Sequence, residues 1–367
     1  MRVIVVAACL FELAACKQLL GFDEVVLTDK PDGPRSDSGD PLPDGAGSLC
    51  FGTFATICLD ALPTEPFVVS ANDTLVQTTE LCATTVAGTT VDACVIVGTS
   101  IQVDGVLRAF GTRPLVLIAT ESFSIGNAGV IDVSSVQTEQ TQLGAGARAC
   151  APSLAATAGG GGAGGSLTTS GGAGGNGGGG NGGIPAASSA VTTLIGGCSG
   201  SPGTGAMAGA AGHGGGAVLV IASTLSITGR INASGAGAAP AVGDQDGGGG
   251  GGSGGVIILD ASAIITVSGT ARLIAQGGGG GGGDGGGGGA EAGQDPNPAT
   301  PGVAAQGGAG SDVGAGAGGD GGVAGGGGAG ENAGGKGGGG GGGSTGLIRG
   351  IAPMVTNNGV SSPGLMP

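Results

Sequence analysis

Residues 256–277 read VIILDASAIITVSGTARLIAQG, and residues 218–235 read VLVIASTLSITGRINASG. Each opens with an apolar run, passes a small-polar turn, continues as an alternating strand, turns again at Gly and ends in a short third piece. Two further copies stand upstream, VIVGTSIQVDGVLRAFG at 95–111 and LVLIATESFSIGNAGVIDVSS at 115–135, and Leu347-Ile348-Arg349 begins a fifth. Val, Ile, Leu and Thr dominate, and a unit of about 20 residues is one supersecondary element rather than a domain. A unit this short cannot bury its own apolar face, whereas stacked units share an interior. The expected fold is therefore all-β, a parallel β-solenoid-like stack of strands.

Two kinds of strand differ within each unit. Leu225-Ser226-Ile227-Thr228 and Ile265-Thr266-Val267-Ser268 alternate, as on a strand with one wet face. Val218-Leu219-Val220-Ile221 and Val256-Ile257-Ile258-Leu259 are apolar throughout, so both of their faces need cover. One face looks into the stack, and the Gly-rich inserts are the candidates to cover the other.

These inserts, at 158–183, 200–216, 235–255, 277–293 and 302–346, hold most of the glycine: all but 12 of the 94 Gly lie beyond residue 140. Gly interrupts helices and offers no side chain to a core, which excludes an ordinary helical or doubly wound domain there. Collagen is excluded by the absence of a strict third-residue Gly. Local triplets do occur, GGAGGS at 161–166 and GGAGGN at 171–176. A period of three matches the left-handed extended helix, in which Gly-only edges let backbones approach and bond. Elsewhere the triplets decay into plain Gly runs, so polyglycine-type helices and disorder both remain open.

With 11 Lys+Arg against 26 Asp+Glu the formal charge is −15, which argues against nucleic acid as a partner. The N-terminus, MRVIVVAACLFELAAC, has one basic residue, an apolar stretch too short to span a bilayer, and Leu13-Ala14-Ala15-Cys16. It resembles a bacterial lipoprotein signal, which implies cleavage after residue 15 and lipid on Cys16. In the sorting rule that goes with this resemblance, Lys17 points to the outer membrane or cell surface. Residues 28–48, rich in Pro and Asp, form a tether too polar to order itself. The organisation read from the chain is a signal at 1–15, a tether at 16–49, a Cys-containing β region with two repeats at 50–140, a Gly-rich body at 141–350 and a tail at 351–367.

Of eight Cys, Cys9 leaves with the signal and Cys16 takes lipid. The remaining Cys50, Cys58, Cys82, Cys94, Cys150 and Cys198 are even in number, which in an exported chain suggests disulfides. Sequential pairing, 50–58, 82–94 and 150–198, is the favoured connectivity. Zinc is the rival, but there is no Cys-x-x-Cys and the sole His stands apart.

The order of these features, with PLVLIA (114–119), GGAGGS, GGC (196–198), HGGGAVLVIA (213–222), INASGAG (231–237), GGGGGGSGGVIILDA (247–261) and GLIR (346–349), resembles the glycine-rich lipoproteins encoded in multiple copies by myxobacteria. That resemblance implies address and architecture and brings no activity with it.

Several strings mimic chemistry. Gly251-Gly252-Ser253-Gly254-Gly255 fits a nucleophile elbow and His213-Gly214-Gly215-Gly216 an oxyanion string, yet a strand and not a helix follows the Ser. Gly330 to Lys336 begins like a phosphate loop, but Gly337 stands where a hydroxyl must bind Mg²⁺. Gly307 to Asp312 begins like a Ca²⁺-binding nonapeptide, with Gly314 in place of the large apolar residue. Asp284, Asp312 and Asp320 are therefore weak Ca²⁺ candidates, and solvated loop acids are the plain alternative. Asp132 and Asn232 occupy equivalent places in two repeats, as does Arg108 in a third, and read as outward strand-end polar residues. The expected function is a non-catalytic, lipid-anchored structural or adhesive surface protein, with cell-surface or matrix polymers as partners. The alternatives are a carbohydrate-active β-helix enzyme, for which the absence of Trp and Tyr is unfavourable, and a Ca²⁺- or ice-binding module.

Overall fold

The computed structural model describes residues 49–70, 74–78, 92–138 and 143–367. The signal at 1–15, the tether up to residue 48, Cys16, Lys17 and Cys82 lie outside the described residues.

A two-stranded antiparallel hairpin comes first, β1 (Cys50–Phe51) and β2 (Ile57–Cys58). Every later strand belongs to one of two parallel sheets. The long sheet holds β3 (Phe67–Val69), β5 (Cys94–Val103), β7 (Leu115–Ile125), β9 (Ala217–Ile227), β11 (Val256–Val267) and β13 (Leu347–Ile351), with β14 (Met354–Asn357) also on β11. The short sheet holds β4 (Thr74–Gln77), β6 (Val106–Phe110), β8 (Val130–Asp132), β10 (Arg230–Asn232), β12 (Arg272–Ile274) and β15 (Val360–Ser362). Each sequence repeat thus sends one strand to each sheet. A rung at 67–77 precedes the four repeats, and the fifth fragment extends through residue 362.

The small-polar stretch inside each repeat is not a turn. Pairing runs through it with a register shift, between Gly98 and Ser100, between Ile118 and Ser122, and between Ala261 and Ile264. A bulge bends a strand without ending its ladder, so an apolar run and the alternating strand after it form one element.

Register makes rows of like residues. Cys94, Leu115, Val218, Ile257 and Ile348 stand side by side across the long sheet. With Leu107, Ile131, Ile231 and Leu273 of the short sheet, all but one of them fully buried, they build the core between the sheets. The alternate row, Val116, Leu219 and Ile258, faces the other way. It is covered by Ala55, Ile57 and Leu59 of the hairpin region and by Leu167 and Leu194. The Gly-rich insert 158–183 contributes to this cover through its apolar residue Leu167, the rest coming from side chains outside the inserts, because burial stabilises by about 25 cal/mol per Å² of apolar surface and glycine carries almost none. The hairpin is closed by the Cys50–Cys58 disulfide.

The Gly-rich segments are hydrogen-bonded to one another with a period of three. Gly247 and Gly250 donate to Thr204 and Ser201, Gly248 and Gly251 to Gly338 and Gly341, and Gly249 and Gly252 to Ala239 and Ala236. The same residues accept from Gly209 and Gly212, from Gly162 and Gly165, and from Gly281 and Gly278. Segment 247–252 therefore has six neighbours, as a rod has in a hexagonal bundle. Segments 277–283 and 337–343 are likewise surrounded. These three are the longest uninterrupted Gly runs. Of the segments with a non-glycine residue every third position, 171–176, 307–312 and 327–332 lie at the perimeter, where Ala173, Asn176, Ala309, Asp312, Ala329 and Asn332, three residues apart within each pair, are exposed, whereas 161–166 is buried throughout.

The array is continuous with both sheets. The chain enters it from the ends of β10 and β12 and leaves through Gly216, Gly255 and Gly346 directly into β9, β11 and β13. At the seam Ala233 donates to Ile274, Gly255 to Ala233, and Gly346 to Ala275.

A Cβ added to Gly250 would stand 2.0 Å from the Ala163 carbonyl oxygen, whereas one added to Gly334 meets no atom within 4 Å. Gly250→Ala is expected to destabilise by about 3 kcal/mol or more. Gly334→Ala is expected to be neutral or to stabilise by up to about 1 kcal/mol. Denaturant unfolding of the two variants checks the contrast.

Candidate functional site

Cys150 and Cys198 form a disulfide within the array, and Cys94 is also disulfide-bonded. Cys198 sits beside Arg148, whose backbone N–H donates to Gly197. Closing the 48-residue separation limits the unfolded chain by about 4 kcal/mol on the loop-entropy description.

The weak Ca²⁺ candidates are each held by the chain itself. Asp284, almost fully buried, accepts from Ser311 Oγ and from the Gly286 N–H. Asp312 pairs with Lys336 Nζ at 2.6 Å, and that ammonium also donates to the Val313 carbonyl. Asp320 accepts from the Gly307 N–H. Asp284 and Asp312 meet at one tip of the array, through Ser311, while Asp320 serves another bond. Among the described residues no group of three or more His, Cys, Asp or Glu is placed to hold a metal.

The hydrolase-like string is part of the array. Ser253 is fully buried, and its hydroxyl accepts the Cys198 N–H and donates to the Gly254 carbonyl. The carbonyl of His213 accepts from Ala236. Lys336, the residue of the phosphate-loop mimic, is the partner of Asp312 described above.

Polar side chains converge instead on the outer face of the short sheet. Strand alternation puts Leu107, Ile131, Ile231 and Leu273 inward, so their neighbours point out. One outer row joins Arg108, Asp132 and Asn232 in register. Asp132 Oδ2 meets Arg108 at 3.1 Å, while its Oδ1 accepts from Ser134 Oγ at 2.6 Å and from Asn232 Nδ2 at 3.3 Å. The equivalence of these positions was readable from the repeats, and the structure turns it into direct contact.

Two residues earlier lies a second outer row that sequence reading missed. Arg230 pairs with Arg272, flanked by Val130 and Val360. The signal was present: Thr-Gly-Arg-Ile-Asn at 228–232 aligns with Thr-Ala-Arg-Leu-Ile at 270–274. Both arginines border a groove of 390 Å³ that also takes in Asn127 and Thr270. A further cavity of 260 Å³ opens between the hairpin and the bend of the long sheet. At its edge buried Asp260 accepts the backbone N–H groups of Thr53 and Phe54, fastening the hairpin.

Compared with family models, curated proteins and solved structures, the chain matches none.

Burial, the largest single influence on Asp284, pushes its carboxyl up, but bonds from Ser311 and from the N–H groups of Gly286, Gly285 and Gly288 outweigh it and hold the group below its ordinary value. A carboxyl depressed in the folded state stabilises above its unfolded value of about 3.9, and that contribution disappears as pH falls through the folded value. Asp284→Asn is therefore expected to lower the unfolding midpoint at neutral pH and to converge on the parent protein in strong acid. Thermal melts across pH 7 to 2 check it, about 2 being the lower end of the titration range of a depressed carboxylate.

Proposed function

We propose that this chain is an exported, lipid-anchored, non-catalytic surface protein with a structural or adhesive role. In this reading the stacked rungs act as a solenoid-type scaffold and the Gly-rich segments are excursions of polyglycine-type helix. Cys16 takes the lipid, Lys17 directs the chain to the outer membrane or cell surface, and the partners are cell-surface or matrix polymers. One observation carries the proposal: the array presents a perimeter of small and amide side chains, Ala173, Asn176, Ala329 and Asn332 among them, at a fixed interval of three residues. At about 3.1 Å per residue that interval repeats roughly every 9 Å along each perimeter segment. A stiff, regularly spaced surface of this kind suits contact with an extended repeating polymer. The disulfides favour an oxidising compartment, and the resemblance to myxobacterial glycine-rich lipoproteins supports the anchor.

Protease treatment of intact cells, combined with mass analysis of the mature N-terminus, tests the proposal. The expected result is cleavage of the chain at the surface and a diacylglyceryl group on Cys16. An N-terminus still at Met1, or a chain shielded from protease until the envelope is broken, contradicts it.

A further inference from the structure

The paired arginines of the short sheet pose a charge problem that the rest of the sheet solves and they do not. Arg230 and Arg272 are direct neighbours on parallel strands, about 4.8 Å apart along the ladder. Like charges placed side by side on one face of a sheet repel. In the row two residues on, Arg108 stands beside Asp132 and is neutralised by it. That carboxylate has nothing left for Arg230: Oδ2 is taken by Arg108, and Oδ1 by Ser134 and Asn232. On the other flanks of the arginine row stand Val130 and Val360.

The two guanidinium groups are also unequal. Arg272 Nη1 donates to the Ala299 carbonyl at 2.8 Å and to the Pro298 carbonyl at 3.4 Å, which fixes its head. Arg230 Nε is buried and makes no hydrogen bond. A buried donor without an acceptor carries an uncompensated desolvation cost. The 390 Å³ groove beside it lies in the range of small-molecule sites, about 300–1,000 Å³. No carboxylate lines this groove, and Asn127 at its border carries amide donors.

We infer that the groove between Arg230 and Arg272 is a binding site for an oxyanion, supplied by the uronate carboxylate of an acidic glycan. A carboxylate laid across the two heads accepts charge-assisted bonds from both guanidinium groups and cancels the repulsion within the row. Valines on either side of the row leave room for the apolar face of a sugar ring. Free phosphate offers the same oxyanion chemistry from another source. The groove is independent of the anchor at Cys16, so its failure as a glycan site leaves the surface reading untouched.

Calorimetric titration of the full chain, purified in detergent, with oligogalacturonate, inorganic phosphate and neutral galactose tests the site. Oligogalacturonate is expected to bind, with affinity falling as salt rises, and galactose is expected not to. Arg230→Gln is expected to weaken oligogalacturonate at least tenfold without lowering the melting temperature, since Arg230 makes no bond that the fold would lose. Arg230→Lys keeps the charge without the fork and is expected to fall between the two. Phosphate that competes with oligogalacturonate supports the same site. Phosphate binding without uronate binding overturns the glycan source. Equal uronate binding in Arg230→Gln, or no binding of either anion, overturns the site.

Discussion

Close approach of backbones is the constraint on which the rest of the molecule depends. In segment 247–252 each residue donates one backbone bond and accepts another, and three successive residues serve different neighbours before the pattern returns. A rod with six neighbours has no free edge, so none of its positions tolerates a Cβ. A Cβ at any of Gly247 to Gly252 would come within 2.2 Å of a neighbour's carbonyl oxygen. Segments 171–176 and 327–332 have one edge facing outward, and there a non-glycine residue recurs every third position. The longest Gly runs thus fill the innermost positions, although depth is not read from composition alone: Ala163 and Ser166 of a triplet segment are buried, and Gly286 to Gly289 are exposed.

Hydrogen bonds alone do not hold such an array. A backbone bond contributes about 1 kcal/mol net, while ordering a residue costs about 1–2 kcal/mol and glycine has the most freedom to lose. The deficit is offset because segments 200–216, 235–255, 277–283 and 337–346 run directly into or out of strands whose apolar rows are buried, and the remaining Gly segments bond to these. Gly216, Gly255 and Gly346 hand the chain to β9, β11 and β13, and the Cys150–Cys198 disulfide ties the array to itself. The order of the glycine follows from the burial of Val, Ile and Leu next to it. Cover for the outer row comes from Ile57, Leu167 and Leu194, the apolar side chains available near that face.

Much of the sheet architecture was legible, because side-chain periodicity and self-similarity are written in residue types. The four repeats align as the strands pair, down to Asp132 beside Asn232 and Arg108. The rung at 67–77 was missed, since Phe67–Val69 and Thr74–Gln77 are too short to show a period. The bulges were read as turns, because Ser and Thr clusters favour both and only the pairing partner decides. The Gly runs were ambiguous for a deeper reason: a residue without a side chain carries no pattern, so order there depends on neighbours distant in sequence. Arg230 and Arg272 were visible in the alignment, but their meaning rests on what does not stand beside them, which only register reveals.

Hydrogen–deuterium exchange on peptides spanning 247–255, 277–283 and 337–346 addresses the central claim most directly. If these runs are interior rods of a bonded array, their amides will exchange as slowly as those of β9 and β11, and all will be released together on unfolding. Exchange of the Gly runs at the rate of an unstructured chain, while the strands stay protected, would show that the sheets stand without the array and that the account is wrong.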